Sequence, residues 1–278
     1  MTDILRDRGW QQQAAETAFE GIILNSLFDA VLDAGLAILE VKAGELGVEL
    51  KSDNSPVTRA DKAAHHILTA ALEHHFPSIP IVSEEDERGE LHQHADRYFL
   101  VDPLDGTKEF IRPDSKGAFT VNIGLIDKNR AVAGIVLAPA RGQLFWGAVG
   151  SASYLCEKGD ISELQIPAPS SEADRTGLVA IASRSHRDAD TDSFLSQHGI
   201  ETVVSVGSSL KFGFVAMGKA DIYPRFGPTM EWDTAAGEAV LRAAGGTVTD
   251  AEGQPHLYGK PGRLNGPFIA CGPFNPFG

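Results

Sequence analysis

Cysteine is nearly absent, with 2 in 278 residues. Cys156 and Cys271 could form one disulfide at most, and a chain of this length does not need one to hold a core. A disulfide scaffold is therefore excluded, and a reducing compartment, the cytoplasm, is expected. Long apolar runs are also missing: no stretch approaches the roughly 20 residues of a membrane-spanning helix. The N-terminus mixes Asp3, Arg6, Asp7 and Arg8 with polar residues, unlike the basic-then-apolar layout of a signal peptide. Basic residues are in deficit, since 24 Lys and Arg against 38 Asp and Glu leave a net charge of −14. Nucleic acid and anionic lipid are poor partners for such a surface, and a phosphorylated substrate would need cations supplied locally. There is no internal repeat, and the 29 glycines are scattered through a chain that is 42% hydrophobic, which argues against collagen and disorder. What remains is a globular chain with room for one large domain or two.

From Ala14 to Val41, apolar residues such as Ile23, Leu27, Val31 and Leu39 recur near helical spacing, which predicts one long amphipathic helix. A loop over Lys51 to Pro56 leads into a second helix from Thr58 through Leu72, ended by Pro77. Short strands at Ile79 to Val82 and Tyr98 to Val101 each run into carboxylates, Glu84 and Asp102. Ala118 to Ile126, Val132 to Leu137 and Gln143 to Val149 read as an antiparallel meander. Pro167 to Thr176 is polar and proline-containing, a domain junction by composition. Beyond it, strands and helices alternate to about Ile269, with a helix over Thr234 to Ala244 stopped by Gly245 and Gly246. The division expected is an α+β half over residues 1–172 and an α/β half over 173–278.

The segment Val101-Asp-Pro-Leu-Asp-Gly-Thr-Lys-Glu-Phe110 carries the most chemistry. Asp102 leaves a strand, Pro103 removes a backbone donor, and Asp105 follows in an expected turn, so both carboxylates can converge on one point. Paired carboxylates with the Leu104 carbonyl between them suit a hard divalent cation such as magnesium. Gly106 and Thr107 would offer backbone N–H groups to a phosphate where a helix begins. Taken alone, the same residues also make an ordinary Asp-capped turn.

Wider context separates the two readings. The chain resembles the inositol monophosphatase superfamily of metal-dependent, lithium-sensitive phosphatases, in which Asp-Pro-Leu-Asp-Gly-Thr is the first signature. Ser55-Pro-Val-Thr-Arg-Ala-Asp61 is similar to the family's early loop, Val82-Ser-Glu-Glu85 to its acidic loop, and Glu231-Trp-Asp-Thr-Ala-Ala-Gly237 to its second signature. Four motifs in order are far more specific than one. The extension to Lys108-Glu109-Phe110-Ile111 is most similar to the bacterial bisphosphate nucleotidases of that superfamily.

The resemblance implies that Glu84, Asp102, Asp105 and Asp233 ligate two or three Mg²⁺ ions, joined by the Leu104 carbonyl, and that Asp61 and Thr107 orient the attacking water. It further implies that His186, Lys211 and Arg225 hold the nucleotide's other phosphate and ribose, although each read singly is ordinary exposed surface. Glu84 alone reads equally as part of a solvated loop, Asp233 as a helix N-cap, and Trp232 as core. Lys108 is as readily a solvent-facing lysine as a substrate contact. The histidine pairs at 65–66 and 74–75 lie too far apart on one helix to share an ion, which argues against zinc.

The fold implied is a layered αβαβα sandwich of the sugar-phosphatase kind. The implied activity is removal of the 3′-phosphate of adenosine 3′,5′-bisphosphate, in sulfur assimilation, with 3′-phosphoadenylyl sulfate as a related substrate. The rivals are an inositol or sugar monophosphatase and, outside enzymes, a nucleotide or metal sensor on the same fold. Oligomeric state stays open, a homodimer included.

Overall fold

The computed structural model describes residues 3–44, 46–50, 56–86, 95–112, 117–167, 177–182 and 188–274. The helix expected from Ala14 to Val41 is shorter than its periodicity implies. β1 (Ala18–Phe19) and β2 (Ile22–Ile23) pair across Glu20 and Gly21, whose φ angles of 45° and 84° make a two-residue hairpin turn. A 3-10 turn at Leu24–Leu27 then leads into α1 (Phe28–Ala43). Ile22 and Leu24 enter the same core as Val31, Leu32 and Ile38, so burial alone mimics a continuous helix there.

β3 (Glu49–Leu50) pairs with β4 (Pro56–Val57), and α2 (Arg59–His75) starts at a capping box. The Thr58 Oγ1 accepts from Ala60 N at 3.1 Å, and Asp61 Oδ2 accepts from Thr58 N at 2.7 Å, so Asp61 is fixed by the helix start itself. β5 (Ile81–Ser83) lies parallel to β6 (Arg97–Asp105). After the short α3 (Thr107–Ile111), β7 (Thr120–Asp127), β8 (Arg130–Ala138) and β9 (Gln143–Ala148) form the expected meander. It continues into β10 (Ser153–Glu157) and β11 (Asp160–Leu164), a hairpin the hydrophobic pattern does not announce, turning at Lys158 and Gly159. Among the described residues these strands make a seven-stranded sheet in the order β11-β10-β9-β8-β7-β6-β5.

The junction expected over Pro167 to Thr176, with its boundary at residue 172, lies outside the described residues beyond Pro167. β12 (Val179–Ala182), α4 (Ala189–Gln197), β13 (Thr202–Ser205), α5 (Leu210–Ala216), β14 (Ile222–Arg225), β15 (Thr229–Met230), α6 (Trp232–Ala243), β16 (Thr247–Asp250), β17 (Leu264–Asn265) and β18 (Phe268–Cys271) follow. A second sheet, in the order β13-β12-β14-β18-β16, is parallel across its first three strands and antiparallel around β18. Its side chains alternate between faces: Ile181, Tyr223, Phe268 and Ala270 pack with α5 and α6, while Ala180, Ile222, Ile269 and Cys271 pack with Phe194 and Leu195 of α4.

The layers are α1 and α2, the seven-stranded sheet, α5 and α6, the five-stranded sheet, and α4, which is the αβαβα sandwich expected. Both faces of the first sheet are covered, so its strands read as near-continuous apolar runs. One glycine pair sets how close α6 comes. Gly124 and Gly134 face each other across β7 and β8, and a Cβ on Gly124 would stand 2.6 Å from Ala235 Cβ, while one on Gly134 would strike the Ala236 backbone. That approach seats the first turn of α6, with Asp233, beside the end of β6. Among the described residues no helix is long and apolar enough to cross a membrane. Cys156 and Cys271 are free and buried.

Candidate active site

The end of β6 does the positioning. The strand runs on through Asp105, which pairs with Thr120, rather than ending in the turn expected before it. Between Asp102 and Asp105 the register shifts, a bulge placed where Pro103 has no N–H to give the ladder. The bulge turns Asp102 and Asp105 toward one point. Gly106 follows with φ of 89°, and a Cβ there would strike Ser208 Oγ, so only glycine fits the corner. α3 begins at Thr107 as expected but has just 5 residues.

Asp102, Asp105 and Asp233 each place a carboxylate oxygen within 4.8 Å of the others. Asp102 Oδ1 accepts from Leu104 N at 3.0 Å, whereas its Oδ2 is buried with no hydrogen-bond partner. Asp105 Oδ2 accepts from Ser209 N at 2.6 Å and Ser209 Oγ at 2.9 Å. Asp233 Oδ2 accepts from Met230 N at 2.8 Å. It stands inside the first turn of α6, which starts at Trp232 with Glu231 at the cap, so the N-cap role for Asp233 is corrected. Glu84, just past β5, lines the same cavity of about 670 Å³.

Charge follows from this crowding. Burial first, then Glu84, Asp105, Asp233 and Asp61, pushes the Asp102 carboxyl well above the usual carboxylate range. Asp233 is raised well above it by burial and by Asp105. Asp105 is raised by burial, partly offset by Lys211 and by its bonds from Ser209. An orphaned buried carboxylate oxygen inside an all-oxygen donor set fits a hard divalent cation and suits zinc or copper poorly. Among the described residues, Asp102, Asp105 and Asp233 are brought close enough together to hold one, while Glu84 and Leu104 line the cavity outside that trio.

Asp61 faces the cluster from α2. Its Oδ1 lies 3.1 Å from Thr107 Oγ1, which is also 3.1 Å from the Leu104 carbonyl. The hydroxyl has one proton and can satisfy one of these acceptors at a time. Burial raises the Asp61 carboxyl, opposed by its bonds from Thr58 and Thr107. The pair expected from the sequence is thus brought together across 46 residues.

Lys211 and Arg225 line the same cavity. Lys211 is buried, donates to the Ser208 carbonyl at 2.7 Å, and lies 5.2 Å from the centre of the Tyr223 ring. Burial lowers its ammonium to about 8 against the opposing pull of Asp105. Arg225 donates to the carbonyls of Gly227 and Pro228, each at 3.0 Å. Lys108 and Trp232 also line the cavity, and Trp232 packs against the Val82 and Tyr98 core as well. His186 lies outside the described residues. His65 is half-buried and hydrogen-bonded to Ser83 of β5 at 2.9 Å, a helix-packing histidine.

Sequence reasoning missed Ser208 and Ser209. Ser208 has φ of 56° and reaches the carbonyls of Asp105 and Ala118, while Ser209 holds Asp105 and, at 2.8 Å, the Asp233 carbonyl. Nothing local in Ser208-Ser209 announces this, because Asp105 and Ala118 lie about a hundred residues earlier in the chain and Asp233 lies 24 residues after Ser209.

Residues 23–268 match the sequence profile of the Inositol monophosphatase family. A protein of Escherichia coli O6:H1, 3′(2′),5′-bisphosphate nucleotidase CysQ, is 46% identical over 239 residues, covering 85% of this chain and 94% of that one. Among solved structures, CysQ from Bacteroides thetaiotaomicron superposes with a TM-score of 0.76 at 34% identity, covering 90% of this chain and 97% of that one. An inositol monophosphatase from Thermotoga maritima shares the fold at 22% identity, with a TM-score of 0.72 over 90% of this chain and 92% of that one.

Proposed function

The chain belongs to the inositol monophosphatase family, and from that premise we propose that it is a metal-dependent 3′(2′),5′-bisphosphate nucleotidase. It removes the 3′-phosphate of adenosine 3′,5′-bisphosphate to give AMP and phosphate, and takes 3′-phosphoadenylyl sulfate as a related substrate. The observation that carries this reading is one cavity lined both by a carboxylate cluster and by Lys211 and Arg225. A bisphosphate needs both sets of groups, one for the phosphate that leaves and one for the phosphate that stays.

Glu84, Asp102, Asp105, Asp233 and the Leu104 carbonyl would hold two or three Mg²⁺ ions. Bound there, Mg²⁺ would supply Lewis-acid chemistry to the phosphate and the attacking water. The chain's own groups do the rest. Thr107 Oγ1 gives its proton to Asp61 Oδ1 and accepts one from the water, which aims the water along the line of the breaking bond. The raised carboxyl of Asp61 makes it a stronger base than an exposed aspartate. Gly106 and Thr107 N–H groups steady the departing phosphate. Lys211, Arg225 and His186 hold the 5′-phosphate and ribose, so residues 173–278 select the substrate and residues 1–172 supply most of the metal site. With both cysteines free and buried, we place the enzyme in the cytoplasm, in sulfur assimilation.

The test is phosphate release from adenosine 3′,5′-bisphosphate with Mg²⁺ and with EDTA. Turnover that EDTA abolishes and Mg²⁺ restores is expected; turnover indifferent to EDTA would contradict the reading.

A further inference from the structure

Behind Asp233, between α6 and the β15/β17 ribbon, lies a polar cluster that the proposed reaction does not use. Glu231 and Glu238 are wholly buried, and Tyr98, His256, Tyr258, Arg263 and Asn265 nearly so. Burying this much charge and amide opposes folding unless the groups are held, and here most are, although Glu238 Oε1 and His256 Nε2 have no hydrogen-bond partner. Glu231 accepts from Lys260 N at 2.9 Å and from Arg263 at 3.1 Å, and Arg263 also donates to Tyr98 OH at 2.9 Å. Glu238 accepts from Tyr258 OH at 2.8 Å and faces His256 Nδ1 at the same distance.

Asn265 differs from its neighbours in where its bonds lead. Its Nδ2 lies 2.8 Å from the Met230 carbonyl, 3.1 Å from Thr229 Oγ1 and 3.1 Å from Thr234 Oγ1. Its Oδ1 accepts from Lys260 Nζ at 3.0 Å. Thr229 and Asn265 are also partners across the ribbon, with Met230 opposite Leu264. The side chain therefore ties together β15, β17 and the first turn of α6. Met230 is the residue whose N–H donates to Asp233 Oδ2 at 2.8 Å, and the same carboxylate places an oxygen within 4.8 Å of Asp102 and Asp105.

We propose that Asn265 is a positioning residue for Asp233: by gripping the Thr229–Met230 strand it aims the Asp233 carboxylate and so sets the affinity for the divalent cation. The inference rests on the reading that Asp233 belongs to the metal site. Asn265 touches neither substrate nor cation. Its amide group supplies donors that an aspartate of the same shape lacks, and residues that orient a metal ligand typically change affinity by about 10- to 100-fold when lost.

The experiment titrates the full-length protein with Mn²⁺ by calorimetry, without substrate, for the wild type, Asn265→Asp and Arg263→Gln. Melting temperatures are measured in parallel in EDTA. Asn265→Asp should weaken Mn²⁺ binding about 10-fold, with KM for the bisphosphate at saturating Mg²⁺ within twofold of wild type. Arg263→Gln disturbs the same cluster but not the grip on Met230. It should lower the melting temperature at least as much while leaving Mn²⁺ affinity within about twofold. Equal Mn²⁺ affinity in wild type and Asn265→Asp overturns the inference, as does a loss in Arg263→Gln proportional to its loss of stability. If Asn265→Asp does not fold, Thr234→Val removes one of the amide's acceptors. A weakening of about threefold is then expected, and none overturns the inference. A wild type that binds no Mn²⁺ overturns the metal-site reading itself, which separates the two failures.

Discussion

On the acidic wall of the cavity, Asp102, Leu104, Asp105, Gly106 and Thr107 come from one strand end and the turn after it, whereas the cationic wall takes Lys211 from α5 and Arg225 from the end of β14. The acidic wall is held by backbone geometry, a bulge and one left-handed glycine. The cationic wall is held by packing between the sheets and by carbonyls that receive the Lys211 and Arg225 donors. In the proposed reaction, chemistry that must be placed to a fraction of an ångström falls to the short, rigid segment, and substrate choice to the dispersed one.

The comparison breaks first at the metal cluster. Asp105→Asn keeps volume but removes one charge from the site, and turnover should fall by at least about 1,000-fold with an unchanged circular dichroism spectrum. Near-normal phosphate release would take Asp105 out of the acidic wall. Asp61→Asn should lower kcat by about 100- to 1,000-fold with KM within a few-fold, because its role concerns the water and not the nucleotide. Steady-state kinetics on the bisphosphate distinguishes that pattern from a binding defect.

Arg225→Ala acts on the other wall. It should raise KM for the bisphosphate about 10- to 100-fold, lower kcat less, and barely affect inositol 1-phosphate, which has no second phosphate to lose. Wild-type pH dependence sharpens the same point. Burial brings the Lys211 ammonium to about 8, so its charge is present below that pH and lost above it. KM for the bisphosphate should be flat near pH 7 and climb above pH 8, and Lys211→Met should remove the climb.

Two smaller effects concern the frame. Gly134→Ala should cost roughly 1–3 kcal/mol, read by thermal melting, because α6 cannot back away from the sheet without moving Asp233. The acidic wall should also make metal-dependent stability depend on pH. The Asp102 and Asp233 carboxyls are raised in the fold above their unfolded values, so the folded state holds more protons and metal-free stability falls as pH rises through those raised values. Mg²⁺ relieves the repulsion, and the rise in Tm it produces should be larger at pH 7.5 than at pH 5. An equal rise at both would mean that the ion binds elsewhere.

The same contrast explains what was legible in the sequence. The carboxylates and the Asp61–Thr107 pair belong to short motifs whose residue types have few other uses together, and α2, β5 to β9 and the elements of the second sheet follow from periodicity and turn residues. The 18–23 hairpin reads as helix because its apolar spacing matches a helical face, although Gly21 marks the turn. The β10–β11 hairpin escapes the pattern because its exposed outer strand carries little apolar alternation. Ser208, Ser209 and Asn265 act through contacts that only the assembled layers create.

In the proposed reaction the carboxylate cluster reacts, while Lys211 and Arg225 select the substrate. The most direct measurement is kcat/KM for adenosine 3′,5′-bisphosphate and for inositol 1-phosphate, in the wild type and in Arg225→Ala at saturating Mg²⁺. The account predicts a strong wild-type preference for the bisphosphate that collapses in the variant while the rate on inositol 1-phosphate stays close to its starting value. Equal losses on both substrates, or a wild type that prefers inositol 1-phosphate, would contradict it.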